Sequence, residues 1–128
     1  IDVAGAGGTS WSQVEMHRAP DEFTRELAAT FVDWGINTAD SILNVKKAAP
    51  EMTVLASGGL KNGLDIAKSI ALGATLGGMT SPFLKAAMVS TEKVVETIES
   101  VKRQIEVVMF SAGIDDLKEL SGKTNSHS

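Results

Sequence analysis

Apolar residues are arranged in two patterns that alternate along the chain. Continuous runs of four or five are bounded by glycines, and longer stretches repeat an apolar position every three or four residues. The clearest example of the first is Thr53-Val54-Leu55-Ala56, closed by Ser57-Gly58-Gly59, which predicts a short buried strand. The stretch Leu64-Asp65-Ile66-Ala67-Lys68-Ser69-Ile70-Ala71-Leu72 then has helical periodicity, with Asn62 as a candidate N-cap and Gly73 as its stop. Ile1-Asp2-Val3-Ala4 reads as an opening strand. Thr75-Leu76-Gly77-Gly78-Met79 reads as a third strand, whose small residues predict close packing against neighbouring backbone. Positions 12–18 predict a polar helix, Pro20 a break, positions 22–32 a short helix or irregular connection, and positions 33–37 a loop. Thr38 is the expected cap of a helix reaching to about Ala49, with Ile42, Leu43 and Val45 on its apolar face and Pro50 behind it. Thr80-Ser81-Pro82-Phe83-Leu84 reads as a strand end opening into a turn. Thr91 is the expected cap of a long amphipathic helix with Val94, Val95, Ile98, Val101, Ile105, Val108 and Met109 along one face, ended by Gly113. A short helix at 115–120 and a polar tail at 121–128, expected to be disordered, complete the pattern.

Strand, helix, strand, helix, strand, helix is the order of an α/β protein with parallel strands and right-handed crossovers. Three strands cannot close a barrel, and a buried strand at the very start requires neighbours on both sides. The chain is therefore expected to be part of something longer. Glycines and hydroxyl residues gather after each strand, on the carboxyl edge where such folds bind ligands. In Ser57-Gly58-Gly59-Leu60-Lys61-Asn62-Gly63 the paired glycines remove the Cβ atoms that would hold a ligand away from the backbone. The helix that follows presents its first N–H groups and the positive end of its dipole, an arrangement suited to a phosphate, and Lys61 adds a charge beside it. The ordinary alternative is a strand-to-helix turn in which glycine only solves geometry. Thr80 and Ser81 form a second candidate anion loop, and Gly5-Ala6-Gly7-Gly8-Thr9-Ser10 a third, which lacks the Gly-Lys-Ser/Thr ending of a P-loop. Trp11 suits either the wall of a flat ligand or the plug of a barrel end.

Charge and composition exclude more than they suggest. A net charge of −4 gives no sign of a nucleic-acid or membrane-surface partner. The absence of cysteine excludes disulfides, thiolate metal sites and a cysteine nucleophile, and is compatible with the expected cytoplasmic location. No apolar run approaches the ~20 residues needed to span a bilayer. The two histidines, His17 and His127, read as solvated surface residues. No spacing of His, Asp and Glu points to a metal site, and no acid–base pair stands out. Asp2, in the opening strand, would need a partner if buried.

Four motifs in order carry a resemblance. Asp2-Val3-Ala4-Gly5-Ala6-Gly7-Gly8-Thr9-Ser10-Trp11 resembles the sixth-strand motif of the type 2, FMN-dependent isopentenyl-diphosphate isomerases. Asp33-Trp34-Gly35-Ile36 followed by Thr38 resembles the loop before that family's next helix. Ala56-Ser57-Gly58-Gly59-Leu60-Lys61-Asn62-Gly63-Leu64-Asp65 is similar to its seventh-strand phosphate loop, and Gly78-Met79-Thr80-Ser81-Pro82-Phe83-Leu84 to its eighth-strand loop. FMN-dependent hydroxy-acid oxidases and inosine-monophosphate dehydrogenases have similar seventh-strand loops; the Gly7-Gly8-Thr9-Ser10-Trp11 run separates this chain from them.

The resemblance implies that residues 1–120 are the C-terminal portion, about strands 6–8 and their helices, of a (β/α)8 TIM barrel. It implies FMN as cofactor, NADPH as the source of reduced flavin, Mg²⁺ for the substrate diphosphate, and interconversion of isopentenyl and dimethylallyl diphosphate in isoprenoid biosynthesis. It also implies a homo-oligomeric full-length form. Carried over by position, Thr9 contacts FMN, Gly58, Gly59, Leu60 and Lys61 hold its phosphate from one side, and Thr80 and Ser81 hold it from the other. No catalytic or metal-ligating residue is assigned. Asn37 stands where the family usually has proline, Lys61 where it often has arginine, and Thr75 where an acidic residue is common. The family's Gln-Glu pair for substrate and metal and its strand-five lysine would all precede Ile1, so the isolated chain is expected to be inactive. Two other readings are a non-catalytic half-barrel that binds flavin or phosphate and a related FMN oxidoreductase.

Overall fold

Backbone hydrogen bonds set three extended segments side by side and parallel in the computed structural model, which describes residues 1–122. The central one is β1 (Leu55–Ala56), and β2 (Leu76–Gly77) pairs with it in the register Leu55 to Leu76 and Ala56 to Gly77. Thr75 N–H donates to the Val54 carbonyl at 2.7 Å and Gly78 N–H to the Ala56 carbonyl at 2.8 Å. On the other side of β1 the opening segment bridges at Asp2, with Val3 N–H donating to the Leu55 carbonyl at 3.1 Å and Leu55 N–H to the Ile1 carbonyl at 2.8 Å. The regular ladder is shorter than the apolar runs predict, although the bonds to the Thr53 and Val54 carbonyls continue the pairing ahead of β1. Ala4 turns the opening segment at φ 40°, and Gly58 and Gly59, at φ 104° and 80°, turn the chain after β1.

Helices fill the connections: α1 (Trp11–Arg18), α2 (Glu22–Thr30), α3 (Thr38–Ala48), α4 (Gly63–Ala71), α5 (Ser81–Ala87) and α6 (Thr91–Ala112), followed by a 3-10 turn at Leu117–Leu120. Two expected caps move by one residue. Asn37, not Thr38, caps α3, its side-chain oxygen accepting from Asp40 N–H at 2.9 Å. Ser90, not Thr91, caps α6 by accepting from Lys93 N–H at 3.1 Å. In both places two capping residues adjoin, and the one in extended geometry takes the role. Asn62 caps α4 and Gly113, at φ 67°, ends α6, as the pattern predicts. The segment after Thr80, read as a turn, forms the seven-residue α5 with Pro82 in its first turn.

The core lies around β1 and α4. Ile42, Val54, Ala56, Leu60 and Ala74 are buried together, with Val3, Val45, Ile66, Leu72 and Met79 packed on them. A second cluster of Ala67, Ile70, Ile114 and Leu120 joins the other side of α4 to the end of α6 and the 3-10 turn. Gly77 answers the expectation of close packing, since a Cβ there would sit 3.0 Å from both Ile66 and Leu60 side chains. Helices α1 and α2 pack on each other and bury no residue. The apolar stripe of α6 lies against α4 and α5, yet Val95 and Ile98, at its outer side, stay exposed. Trp11 and Trp34 are both exposed; the latter meets Phe31 edge-on at 6.2 Å between ring centroids. Among the described residues, no helix is long and apolar enough to cross a membrane. Of the polar tail, residues 123–128, including His127, lie outside the described residues.

Candidate functional site

All three parallel segments release their loops at one edge. The loop after the opening segment folds back over the loop after β1, backbone on backbone. A Cβ on Gly58 would overlap the Gly5 carbonyl oxygen, and one on Gly59 would overlap the Gly7 carbonyl oxygen. Conversely, a Cβ on Gly8 would sit 2.9 Å from the Gly59 nitrogen. The glycines therefore permit the approach of two loops of the same chain, which the sequence pattern alone does not reveal.

Side chains pin this contact. Thr38 Oγ1, freed from capping, donates to the Gly58 carbonyl at 2.6 Å and lies 3.2 Å from the Ser57 carbonyl. Gly5 N–H also donates to the Ser57 carbonyl, at 2.9 Å. Ser57 Oγ donates to an Asp2 carboxylate oxygen, which accepts Ala4 N–H at 3.0 Å as well. The hydrogen bond from Ser57, and after it the one from Ala4, holds the exposed Asp2 carboxyl below its ordinary pKa. Asp2 is exposed, so the condition of burial does not arise, and its bond to Ser57 runs across the ladder at the edge where the loops emerge.

The start of α4 is more heavily used than the sequence suggests. Asn62 takes Asp65 N–H at 2.9 Å, Asp65 takes Lys61 N–H at 2.9 Å, and Gln104 of α6 takes Gly63 N–H at 2.6 Å. Three N–H groups near this helix end are thus already satisfied within the chain. Among the described residues, the Gly59 and Leu60 amides have no acceptor in the chain, and the Thr80 hydroxyl, at the start of α5, makes no capping bond. Lys61 is exposed. An anion would suit these remaining donors and the lysine charge.

The predicted site residues fall into three groups. Gly58, Gly59 and Leu60 line a cavity of about 230 Å³ with Thr38, Asp65 and Lys68, while the Leu60 side chain belongs to the core. Lys61 and Asn62 line a second hollow of about 370 Å³ together with Pro82, Lys93 and Gln104. The structure so brings Lys61 to the residue next to Ser81. Thr9, Thr80 and Ser81 are exposed at the same edge and line neither hollow. Among the described residues no three His, Asp or Glu side chains are grouped to hold a metal ion. Gln104 was not legible as a site residue: it is a polar residue at the flank of α6 turned to α4, 41 positions from its partner Gly63.

Parallel strands with glycine and hydroxyl loops gathered at their carboxyl edge define an α/β protein with an anion-ready rim. Residues 3–127 match the family described as FMN-dependent dehydrogenase, and the chain belongs to it. It is 45% identical over 128 residues to the isopentenyl-diphosphate delta-isomerase of Rickettsia bellii, an alignment covering 98% of the chain and 37% of that protein. To the isopentenyl-diphosphate delta-isomerase of Nostoc sp. it is 48% identical over 94% of the chain and 34% of the relative. To that of Archaeoglobus fulgidus it is 48% identical over 95% of the chain and 34% of the relative. The chain spans about a third of the length of these curated relatives.

Proposed function

We propose that this chain supplies the FMN-phosphate side of an FMN-dependent isopentenyl-diphosphate isomerase, as strands six to eight of a TIM barrel whose other strands belong to a longer protein. The observation that carries the reading is the pairing of Ala56 with Gly77, which starts the 57–63 and 78–82 loops from adjacent strands and brings Lys61 and Pro82 to one hollow. Identity of 45–48% to isomerases along nearly the whole chain supports the choice of reaction.

In this reading the free amides of Gly59 and Leu60, the Thr80 and Ser81 hydroxyls and the Lys61 ammonium hold the cofactor phosphate, and Thr9 reaches the flavin from the neighbouring loop. Lysine at position 61 gives charge without the two-pronged geometry of arginine. Bound FMN supplies the acid–base chemistry of the allylic isomerisation. The residues of this chain bind and orient it, and the Gly5–Gly58 contact fixes the loop that does so. NADPH as reductant, Mg²⁺ on the diphosphate and a homo-oligomeric assembly in the cytoplasm belong to the same proposal and rest on the resemblance of the four motifs.

The test is an assay with reduced FMN, Mg²⁺ and isopentenyl diphosphate on the 128-residue chain and on the chain extended to the length of its relatives. The extended chain turns substrate over and the short one does not, because holding flavin, metal and substrate demands placement within about 1 Å. Comparable turnover by both would refute the division of the site. Thr80→Val in the extended protein weakens FMN binding by about tenfold, the worth of one hydrogen bond to a charged group.

A further inference from the structure

The N–H of Gly63, the first residue of α4, donates to Gln104 Oε1 at 2.6 Å across a partly buried contact. The amide of Gln104 is oriented by its other end, where Nε2 lies 3.4 Å from Ser100 Oγ, one turn back on α6. There is no slack in this contact. Gly63 is buried, and a Cβ on it would collide with the Val101 carbonyl and with Gln104 Cβ. Helix α6 thus touches α4 by backbone at the residue that follows Lys61 and Asn62. Gln104 also lines the hollow that those two residues share with Pro82.

We infer that Gln104 is a positioning residue for the cofactor phosphate, holding the start of α4 from α6 so that the Gly59 and Leu60 amides and Lys61 keep their aim. The inference rests on the proposed function of this edge. A helix that shifts at its first turn carries the preceding loop with it, and hydrogen bonds to an anion weaken steeply once donors lose alignment. Gln104 is suited to the task as a neutral acceptor. It satisfies Gly63 N–H without adding a second carboxylate to the hollow, where Glu96 already lies paired with Lys93 at 2.8 Å.

The experiment compares FMN with riboflavin, which lacks the phosphate, on the protein extended to the length of its relatives. Gln104→Met keeps the volume and removes the acceptor. It raises the Kd for FMN by about tenfold, the scale of a lost hydrogen bond to a buried donor, and leaves riboflavin unchanged. Gln104→Glu keeps the acceptor, so the thermal midpoint stays near that of the parent. Its charge still weakens FMN and not riboflavin, and raising the salt concentration narrows the difference. Equal weakening of both flavins by Gln104→Met would mark a merely structural role and overturn the inference. So would an unchanged FMN affinity in Gln104→Met. If the unsubstituted extended protein binds no FMN, the proposed function itself fails. If it binds FMN and both variants match it, only the role of Gln104 fails.

Discussion

Replacing Gly58 by alanine tests whether the glycine pair serves the chain or a ligand. Gly58 has φ 104°, and a Cβ there overlaps the carbonyl oxygen and crowds the nitrogen of Gly5. Both are backbone atoms, which cannot swing aside as a side chain would. Gly113, the end of α6, provides the control: its φ is 67° and nothing lies within 4 Å of a built Cβ. Gly113→Ala therefore reports conformational strain alone, about 1–2 kcal/mol. Gly58→Ala adds the displacement of one loop by the other, a further ~1–3 kcal/mol on the scale of overpacking. At roughly 4 °C per kcal/mol for a domain of this size, Gly58→Ala lowers the thermal midpoint at least about 4 °C further than Gly113→Ala. The measurement is thermal unfolding in the absence of flavin. Equal losses for the two variants would refute the backbone contact between the 5–8 and 57–59 loops. A deficit that emerges only with FMN present would show that the glycines make room for the cofactor.

Three further outcomes follow from the same geometry. Ile42 is fully buried between α3 and β1, so Ile42→Ala costs about 3–4 kcal/mol in urea unfolding; a loss below about 1 kcal/mol would mean the α3 packing is not as described. Thr38→Val leaves the Gly58 carbonyl without its 2.6 Å donor and costs about 1 kcal/mol by the same measurement, where no change would show the bond to be unimportant. The Asp2 carboxyl has its folded pKa below the ordinary 3.8, so its stabilising effect is present above that value and fades as the pH falls through the lower folded pKa. Urea midpoints followed from neutral to acid pH therefore fall more steeply for the parent than for Asp2→Asn, and parallel curves would contradict the Asp2–Ser57 bond.

The order of elements was legible because it depends on local patterning. The buried face of α3 around Ile42, the α4 periodicity and the Gly113 stop all require only neighbouring residues to agree. The α3 cap was displaced by one position in company with a contact outside the helix: Thr38 is an adequate cap, but its hydroxyl is drawn to the Gly58 carbonyl, 20 positions away in sequence. The glycine loops were located correctly, and their immediate partner was not, since no local pattern says that Gly5 and Gly7 will stand against Gly58 and Gly59. The expectation of an open α4 terminus overlooked Gln104 for the same reason, and overlooked Asp65, whose place three residues after Asn62 is that of a reciprocal capping partner.

The helical pair α1–α2 leaves and rejoins the body of the fold through a narrow neck. Ala6 N–H donates to the Ile36 carbonyl at 2.8 Å, and just outside it Ser10 Oγ donates to the Val32 carbonyl at 3.2 Å. Among the described residues these two bonds, with the parallel bridge of Ala6 to Asn37, close an excursion of about thirty residues, and closure entropy grows so slowly that doubling its length would cost only about 0.6 kcal/mol. The pair is therefore a place where insertions and deletions can accumulate without disturbing the ladder. The glycine loop on one side of the neck and α3 on the other stay anchored to β1 whatever the excursion contains. Length variation in descendants of this sequence should concentrate between Ser10 and Val32, leaving the spacing from Asn37 to Pro82 nearly constant.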